Sequence, residues 1–227
     1  MKRKIRCGSG YIEYTLVQTT RRDILIQALE GGLTKIYAPK YARLSDIDAV
    51  VRENAEKIAA MKESLRPMPL KNGNTVRVEG TPRVVSITRG KPSVQLNENS
   101  FIITAPDPDD ADAVRAQAQA YLSALALARI RSRIAHYQPL IGVTFNRVTI
   151  RAQRSRWGSC SSKNNLNFNW KLILAPVQCL DYVVIHELCH LIEFNHSTRF
   201  WNLVEAQMKD YRVWKDWLKI NGKALTI

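Results

Sequence analysis

The chain has 227 residues, 45% of them hydrophobic and 24% charged, which suits one compact domain or two small ones and excludes a disordered protein. Lysine and arginine number 34 against 20 acidic residues, and the resulting +14 favours acidic partners such as nucleic acid or nucleotides. Cys7, Cys160, Cys179 and Cys189 lack the Cys-x-x-Cys spacing of a disulfide framework or thiolate zinc site, and no apolar run has the length of a membrane span. The basic start Met1-Lys2-Arg3-Lys4 runs into Gly8-Ser9-Gly10 and Glu13, where a secretory leader needs an apolar core, so a reduced, cytoplasmic protein is expected.

Residues 11–18 and 23–29 read as strands, Gly31-Gly32 as a hairpin turn, and 33–38 as a third strand ending at Pro39. Ser45 or Asp46 can cap a helix through Ile47, Val50, Val51, Ala55 and Ile58 that ends before Pro67. Lys71-Asn72-Gly73 turns the chain into short strands at 75–79, 84–87, 94–96 and 101–104. Residues 1–106 therefore predict a mainly antiparallel β-rich region with one helix, built as two passes of strands followed by a helix without strict repetition.

An acidic, proline-containing segment at 107–112 leads into a long helix whose apolar stripe is Val114, Ala118, Tyr121, Leu122 and Leu125. Arg129, Arg131 and Arg133 suit its C-terminal dipole, Pro139 and Gly142 are its stop signals, and His136 reads as a surface residue near its end. Residues 145–152 alternate as a strand. The loop Gln153-Arg154-Ser155-Arg156-Trp157-Gly158-Ser159-Cys160-Ser161 follows, with a glycine for a tight turn and a tryptophan for an anchor. Arg154 and Arg156 are candidate substrate-binding residues, because guanidinium geometry suits carboxylate and phosphate alike. Residues 164–169 read as an edge strand on which an extended peptide could pair. Cys160 is a poor nucleophile candidate, since no histidine is reserved for it.

Three of the four histidines lie between 186 and 196. In Val183-Val184-Ile185-His186-Glu187-Leu188-Cys189-His190-Leu191-Ile192 the two imidazoles are four apart, on one face of a helix that is otherwise apolar all round. A buried helix with that polar load needs a partner for it, and one zinc ion held by His186 and His190 supplies it, with Glu187 beside it as general base. A straight helix would turn His196 away, so the chain must bend near Phe194-Asn195 to make His196 the third ligand. Asn195 suits a left-handed helix end, and Ser197 or Thr198 can cap the next helix through Phe200, Trp201, Val204 and Met208. Glu205, on that helix, is the alternative third ligand.

Arg154-Ser155-Arg156-Trp157-Gly158-Ser159-Cys160, Leu166-Asn167-Phe168-Asn169-Trp170, Leu174-Ala175-Pro176, the stretch from Asp181 to Leu191, Asn195-His196-Ser197 and Phe200-Trp201 together resemble the YgjP-like metallopeptidases, a family of metal-dependent hydrolases related to SprT-like proteins. The ordered match runs from about Val148 to Leu218, and the earlier strands resemble the family in pattern only. The resemblance implies an α+β protein in which residues 1–106 pack on a zincin-like α/β metallopeptidase region at 107–227. It also implies His186, His190 and His196 as Zn2+ ligands and Glu187 as catalytic acid and base.

The expected reaction is hydrolysis of a peptide or protein substrate, with Arg154, Arg156, Tyr182 and Tyr211 as candidates to stabilise the oxyanion. The alternatives are a nucleotide phosphohydrolase using the same metal, an SprT-like protease held to nucleic acid by the basic surface, and a non-enzymatic zinc module. A structural zinc normally has four protein ligands and needs no adjacent glutamate, which weighs against the last.

Overall fold

The computed structural model describes residues 1–8, 10–29, 33–64, 69–153 and 156–227. Its chain divides into two units, Met1–Met68 and Pro69–Ile227, so the division falls well before the strand-to-helix change at 106. The Gly31-Gly32 turn, Pro67 and Arg154 lie outside the described residues.

The first unit contains β1 (Lys2–Cys7), β2 (Gly10–Thr19), β3 (Leu25–Ala28) and β4 (Thr34–Pro39), then α1 (Leu44–Glu53) and α2 (Ala55–Ser64). Strand order is β1-β2-β4-β3, with β2 and β4 parallel and the two outer pairs antiparallel. The sheet is thus mixed, where the sequence predicts an antiparallel region. The heavily buried β4 takes an inner place and the four-residue β3 is left at an edge, the usual fate of a short strand. β1 escapes the sequence reading because Lys2, Arg3, Lys4 and Arg6 look like a solvated tail. Buried Ile5 and the contacts of Arg3 hold it in place.

Ile5, Tyr14, Leu16, Ile36 and Ala38 meet Ile47, Val51 and Ile58 in the core of this unit. Two helices stand where one is expected. The chain breaks at Asn54, whose side-chain amide donates to the Val50 carbonyl at 2.8 Å. Neither Ser45 nor Asp46 caps α1, which begins from an extended Arg43 without a side-chain cap.

Asp48 on α1 accepts from Arg3 Nη2 at 2.6 Å and from the Tyr14 hydroxyl at 2.5 Å. Burial alone would raise its carboxyl pKa, but these two hydrogen bonds outweigh it and hold the group below its ordinary 3.8. A depressed carboxyl contributes stability in full above the unfolded-state value and loses it as pH falls through the folded-state value. Wild-type protein should therefore lose thermal stability on acidification below about pH 4 more steeply than Asp48→Asn. Parallel melting curves for the two proteins from pH 6 to pH 2 would disprove this.

The second unit repeats the first sheet's topology. β5 (Thr75–Val78), β6 (Thr81–Arg89), β7 (Ser93–Leu96) and β8 (Ser100–Ala105) run in the order β5-β6-β8-β7, with β6 and β8 parallel. Val78, Val85, Phe101, Ile103 and Ala105 share one core with Val114, Ala118, Leu122, Ala126 and Ile130 of α3 (Ala111–Ile141). That shared core is why these strands go with the site rather than with the N-terminal unit. Asp110 caps α3 by accepting from Ala113 N–H at 3.0 Å, and Gly142 ends it at φ 74°. Pro139 lies inside the helix instead of stopping it, and Gly142 N–H still reaches the Gln138 carbonyl at 2.9 Å.

Next come β9 (Arg147–Arg151), β10 (Gly158–Cys160), β11 (Asn165–Asn169) and a 3-10 turn at Trp170–Leu174. They are followed by α4 (Val177–Cys189), α5 (Thr198–Gln207) and α6 (Tyr211–Asn221). Strand order β10-β11-β9 puts β11 at the centre, where its sequence suggests an edge. Its alternating asparagines look solvated but bond across the sheet. Asn167 accepts from Thr149 Oγ1 at 2.5 Å and donates to Ser159 Oγ at 3.3 Å, while Leu166 and Phe168 are fully buried. Arg133 of α3 binds Asp181 of α4 through two nitrogens at 2.5 and 2.8 Å, beside Tyr137. This arginine thus fastens α4 to the scaffold helix instead of serving only the helix dipole.

Candidate metal centre

α4 is buried on nearly every side, with Leu180, Val183, Val184, Ile185, Leu188 and Cys189 all in the core. His186 and His190 share one face of it, and their Nε2 atoms lie 3.2 Å apart. His190 closes the helix, and Leu191, Ile192 and Glu193 N–H groups bond back to the carbonyls of Leu188 and Cys189. The chain then bends at 194 and 195 and brings His196 Nε2 to 3.1 Å from His186 Nε2. Asn195 makes this bend without a left-handed conformation. Among the described non-glycine residues only Glu79 and Asn164 have positive φ. Ser197 starts α5 by accepting from Phe200 N–H at 3.3 Å. Phe200 stacks on His190 at 4.5 Å and Trp201 on His196 at 5.6 Å.

The donor set fits a divalent metal. Among the described residues, His186, His190 and His196 bring their ligand atoms within 4.8 Å of one another. Tetrahedral zinc–nitrogen bonds of about 2.0–2.1 Å put ligand nitrogens about 3.3 Å apart, close to the spacings here. His190 Nδ1 lies 3.0 Å from the Glu193 carbonyl, a contact that puts the proton on Nδ1 and leaves the Nε2 lone pair for a metal. Burial, reinforced by the other two histidines and Lys215, pushes His186 down to about 3, so its imidazole is neutral. Its Nδ1 is 3.5 Å from the Tyr182 hydroxyl.

Glu187 is only 4% exposed, and its Oε2 has no hydrogen-bond partner. Burial pushes its pKa up to about 8 against the opposing charge of Arg156 and a hydrogen bond from the Cys160 backbone. With Trp157, Gly158, Tyr182, Val183 and His186 it lines a cavity of about 160 Å³. Gly158 is required for the approach of β10 to this carboxylate. A Cβ there would lie 2.6 Å from Glu187 Oε1 and 2.7 Å from Cγ. Gly158→Ala should therefore displace Glu187 and cost about 1–3 kcal/mol, a drop of several degrees in the melting point. An unchanged melting point in calorimetry would show that the contact yields freely.

An α+β protein that presents three imidazoles to one point has the scaffold of a metal-dependent hydrolase. The chain belongs to the YgjP-like family, whose metallopeptidase domain matches residues 22–221. A crystal structure of the metallopeptidase zymogen abylysin from Pyrococcus abyssi is similar over 41% of this chain and 93% of its own, at 22% identity and a TM-score of 0.37. No curated protein matches the chain.

The remaining candidates separate clearly. Arg156 is exposed, and the buried Asn169 side-chain amide donates to its carbonyl at 3.2 Å and to that of Gln153 at 2.6 Å. Glu205 is absent from the histidine cluster and instead faces Arg212 at 3.7 Å. Tyr211 is buried and stacks on Trp201 at 5.3 Å and on Tyr182 at 6.3 Å, which makes it packing. Burial, with Glu187 nearby, pushes the Cys160 thiol up to about 11, the wrong direction for a nucleophile. His136 is exposed on α3, at the surface as expected. Sequence reasoning missed the Glu193 carbonyl and Asn169, and it gave Gly158 only a turn. A backbone carbonyl leaves no mark in a sequence. The glycine before the alternating strand hinted at close backbone approach but not at what approaches.

Proposed function

We propose that the chain is a zinc-dependent peptidase of the zincin kind, with His186, His190 and His196 as ligands and Glu187 as general base and acid. The observation that carries this reading is the buried Glu187 carboxylate, its Oε2 without a hydrogen-bond partner, lining one cavity with His186. Zinc held by three imidazoles supplies a Lewis acid and lowers the pKa of water toward neutrality. Glu187 Oε2 would take the proton from the attacking water and return it to the leaving amine; a divalent cation beside it would favour the ionised carboxylate that this role needs. The Cys160 backbone bond fixes the other side of that carboxylate. Tyr182, whose hydroxyl lies 3.5 Å from His186 Nδ1, would help to orient that ring and also lines the cavity.

Substrate would dock on β10. The Asn169 N–H bonds to the Trp157 carbonyl and the Ser161 N–H to the Asn165 carbonyl, so the odd-numbered residues of β10 pair with β11. Gly158 and Cys160 consequently turn backbone groups away from β11; the Cys160 N–H is taken by Glu187, which leaves the Gly158 N–H and the two carbonyls for an extended peptide to add as a strand. The edge role assigned to 164–169 from sequence thus passes to β10. Arg156, beside Glu187, is the candidate to meet a substrate carboxylate or the developing oxyanion, with Arg154 next to it in sequence. A cytoplasmic, membrane-free setting belongs to the same proposal; no helix among the described residues is long and apolar enough to cross a membrane.

The test is to incubate the zinc-loaded protein with an unfolded protein such as casein and, separately, with nucleoside triphosphates. New peptide amino termini are expected. Phosphate release without peptide cleavage would replace this reading with the phosphohydrolase one.

A further inference from the structure

We infer that the open face of the first sheet, β1-β2-β4-β3, binds single-stranded nucleic acid through aromatic stacking and phosphate contacts. α1 and α2 pack on one face of this sheet, where Ile5, Tyr14, Leu16 and Ile36 are buried with Ile47, Val51 and Ile58. Alternation along each strand turns Lys2, Lys4, Arg6, Tyr11, Lys35 and Tyr37 to the other face.

The registers arrange these side chains in rows. Arg6 lies opposite Tyr11, Lys4 opposite Glu13, Lys2 opposite Thr15, and Thr15 opposite Lys35. Tyr37 lies opposite Val17 in the next row. The two tyrosine rows are therefore about 20 Å apart along β2, with the lysine rows between them. Tyr11 is 64% exposed, and Lys4 Nζ lies 5.0 Å from its ring centroid. One carboxylate, Glu13, stands among these four cations, and its 3.2 Å pair with Lys4 is solvent-exposed and weak.

The second sheet is an internal control. It has the same strand order and also buries one face, yet its other face presents mostly hydroxyl side chains, among them Ser86, Thr88, Ser100 and Thr104. That face carries one arginine, Arg77, and no aromatic ring. The topology needs no tyrosines or lysines there, so their presence on the first sheet answers to a ligand. Rings flanking cations, Tyr11 exposed and Tyr37 half-buried, match a strand whose bases are free to stack while its phosphates meet ammonium and guanidinium groups. In a duplex the bases are stacked on each other and the rings would have no task. The inference lies wholly within residues 1–68 and does not depend on the metal centre.

The experiment is fluorescence anisotropy of labelled 20-mer oligo(dT) and oligo(U) with the full chain over a range of salt. Preference between the two probes would distinguish DNA from RNA as the polymer. Binding should weaken with salt, and Tyr11→Ala or Tyr37→Ala should reduce affinity roughly ten- to hundredfold while Tyr11→Phe retains it. The Lys2→Ala, Lys35→Ala double variant should lower the slope of log affinity against log salt by about 1.4. Arg77→Ala should change neither quantity by a comparable amount. Tyr11 is exposed, so its loss should leave the melting point unchanged and any loss of binding belongs to the face. Three results would overturn the inference: no binding at low salt, a duplex bound as tightly as the single strand with no effect of the tyrosines, or tyrosine variants that lose phosphatidylserine vesicles but keep the oligonucleotide.

Discussion

Glu187→Gln is expected to keep zinc and fold while its turnover falls by about a hundredfold or more. The amide has the same size and still accepts the hydrogen bond from the Cys160 backbone, but it cannot take up a proton. Stability should not suffer, because burial already works against the charged form of this side chain and the amide removes that cost. Three measurements on one preparation decide the matter: metal by elemental analysis, melting by calorimetry, and the rate on the substrate found in the casein assay. Full activity in the glutamine variant would defeat the proposed mechanism whatever the metal content.

His186→Ala and His190→Ala should abolish stoichiometric zinc binding, and His196→Ala should weaken it by more than the 10–100-fold typical of losing an outer-shell partner. The three imidazoles converge, and among the described residues no other His, Cys, Asp or Glu joins the cluster, so each loss leaves two of these ligands. Glu205→Ala is the matched control. Its carboxylate faces Arg212, and zinc affinity should be unchanged. Competition with a chelator of known affinity reads all four variants on one scale. Intact affinity in His196→Ala together with loss in Glu205→Ala would transfer the third place to Glu205.

The sequence by itself determined the helix at the heart of the site. Spacing of four, an apolar frame and a following histidine are local properties, and local geometry alone brings His186 beside His190. The bend that returns His196 and the Ser197 cap were legible for the same reason, since both are written within one or two turns of chain. The α+β class was legible too, because strand and helix periodicities differ.

Tertiary structure decided what depends on distant partners. β11 is central because Asn167 finds Thr149 and Ser159 on two neighbouring strands, partners that no pattern within 164–169 reveals. β1 is a strand because Ile5 meets a core and Arg3 meets Asp48, forty-five residues away. Gly158 is crowded by a carboxylate twenty-nine positions later, and Glu205 lies outside the histidine cluster and faces Arg212. Strand order, with β4 inside β3 and β8 inside β7, follows from which strands bury the most surface once the helices cover one face. Periodicity reports which side of an element is buried, while register and neighbour depend on free energies shared between segments that the chain brings together only on folding.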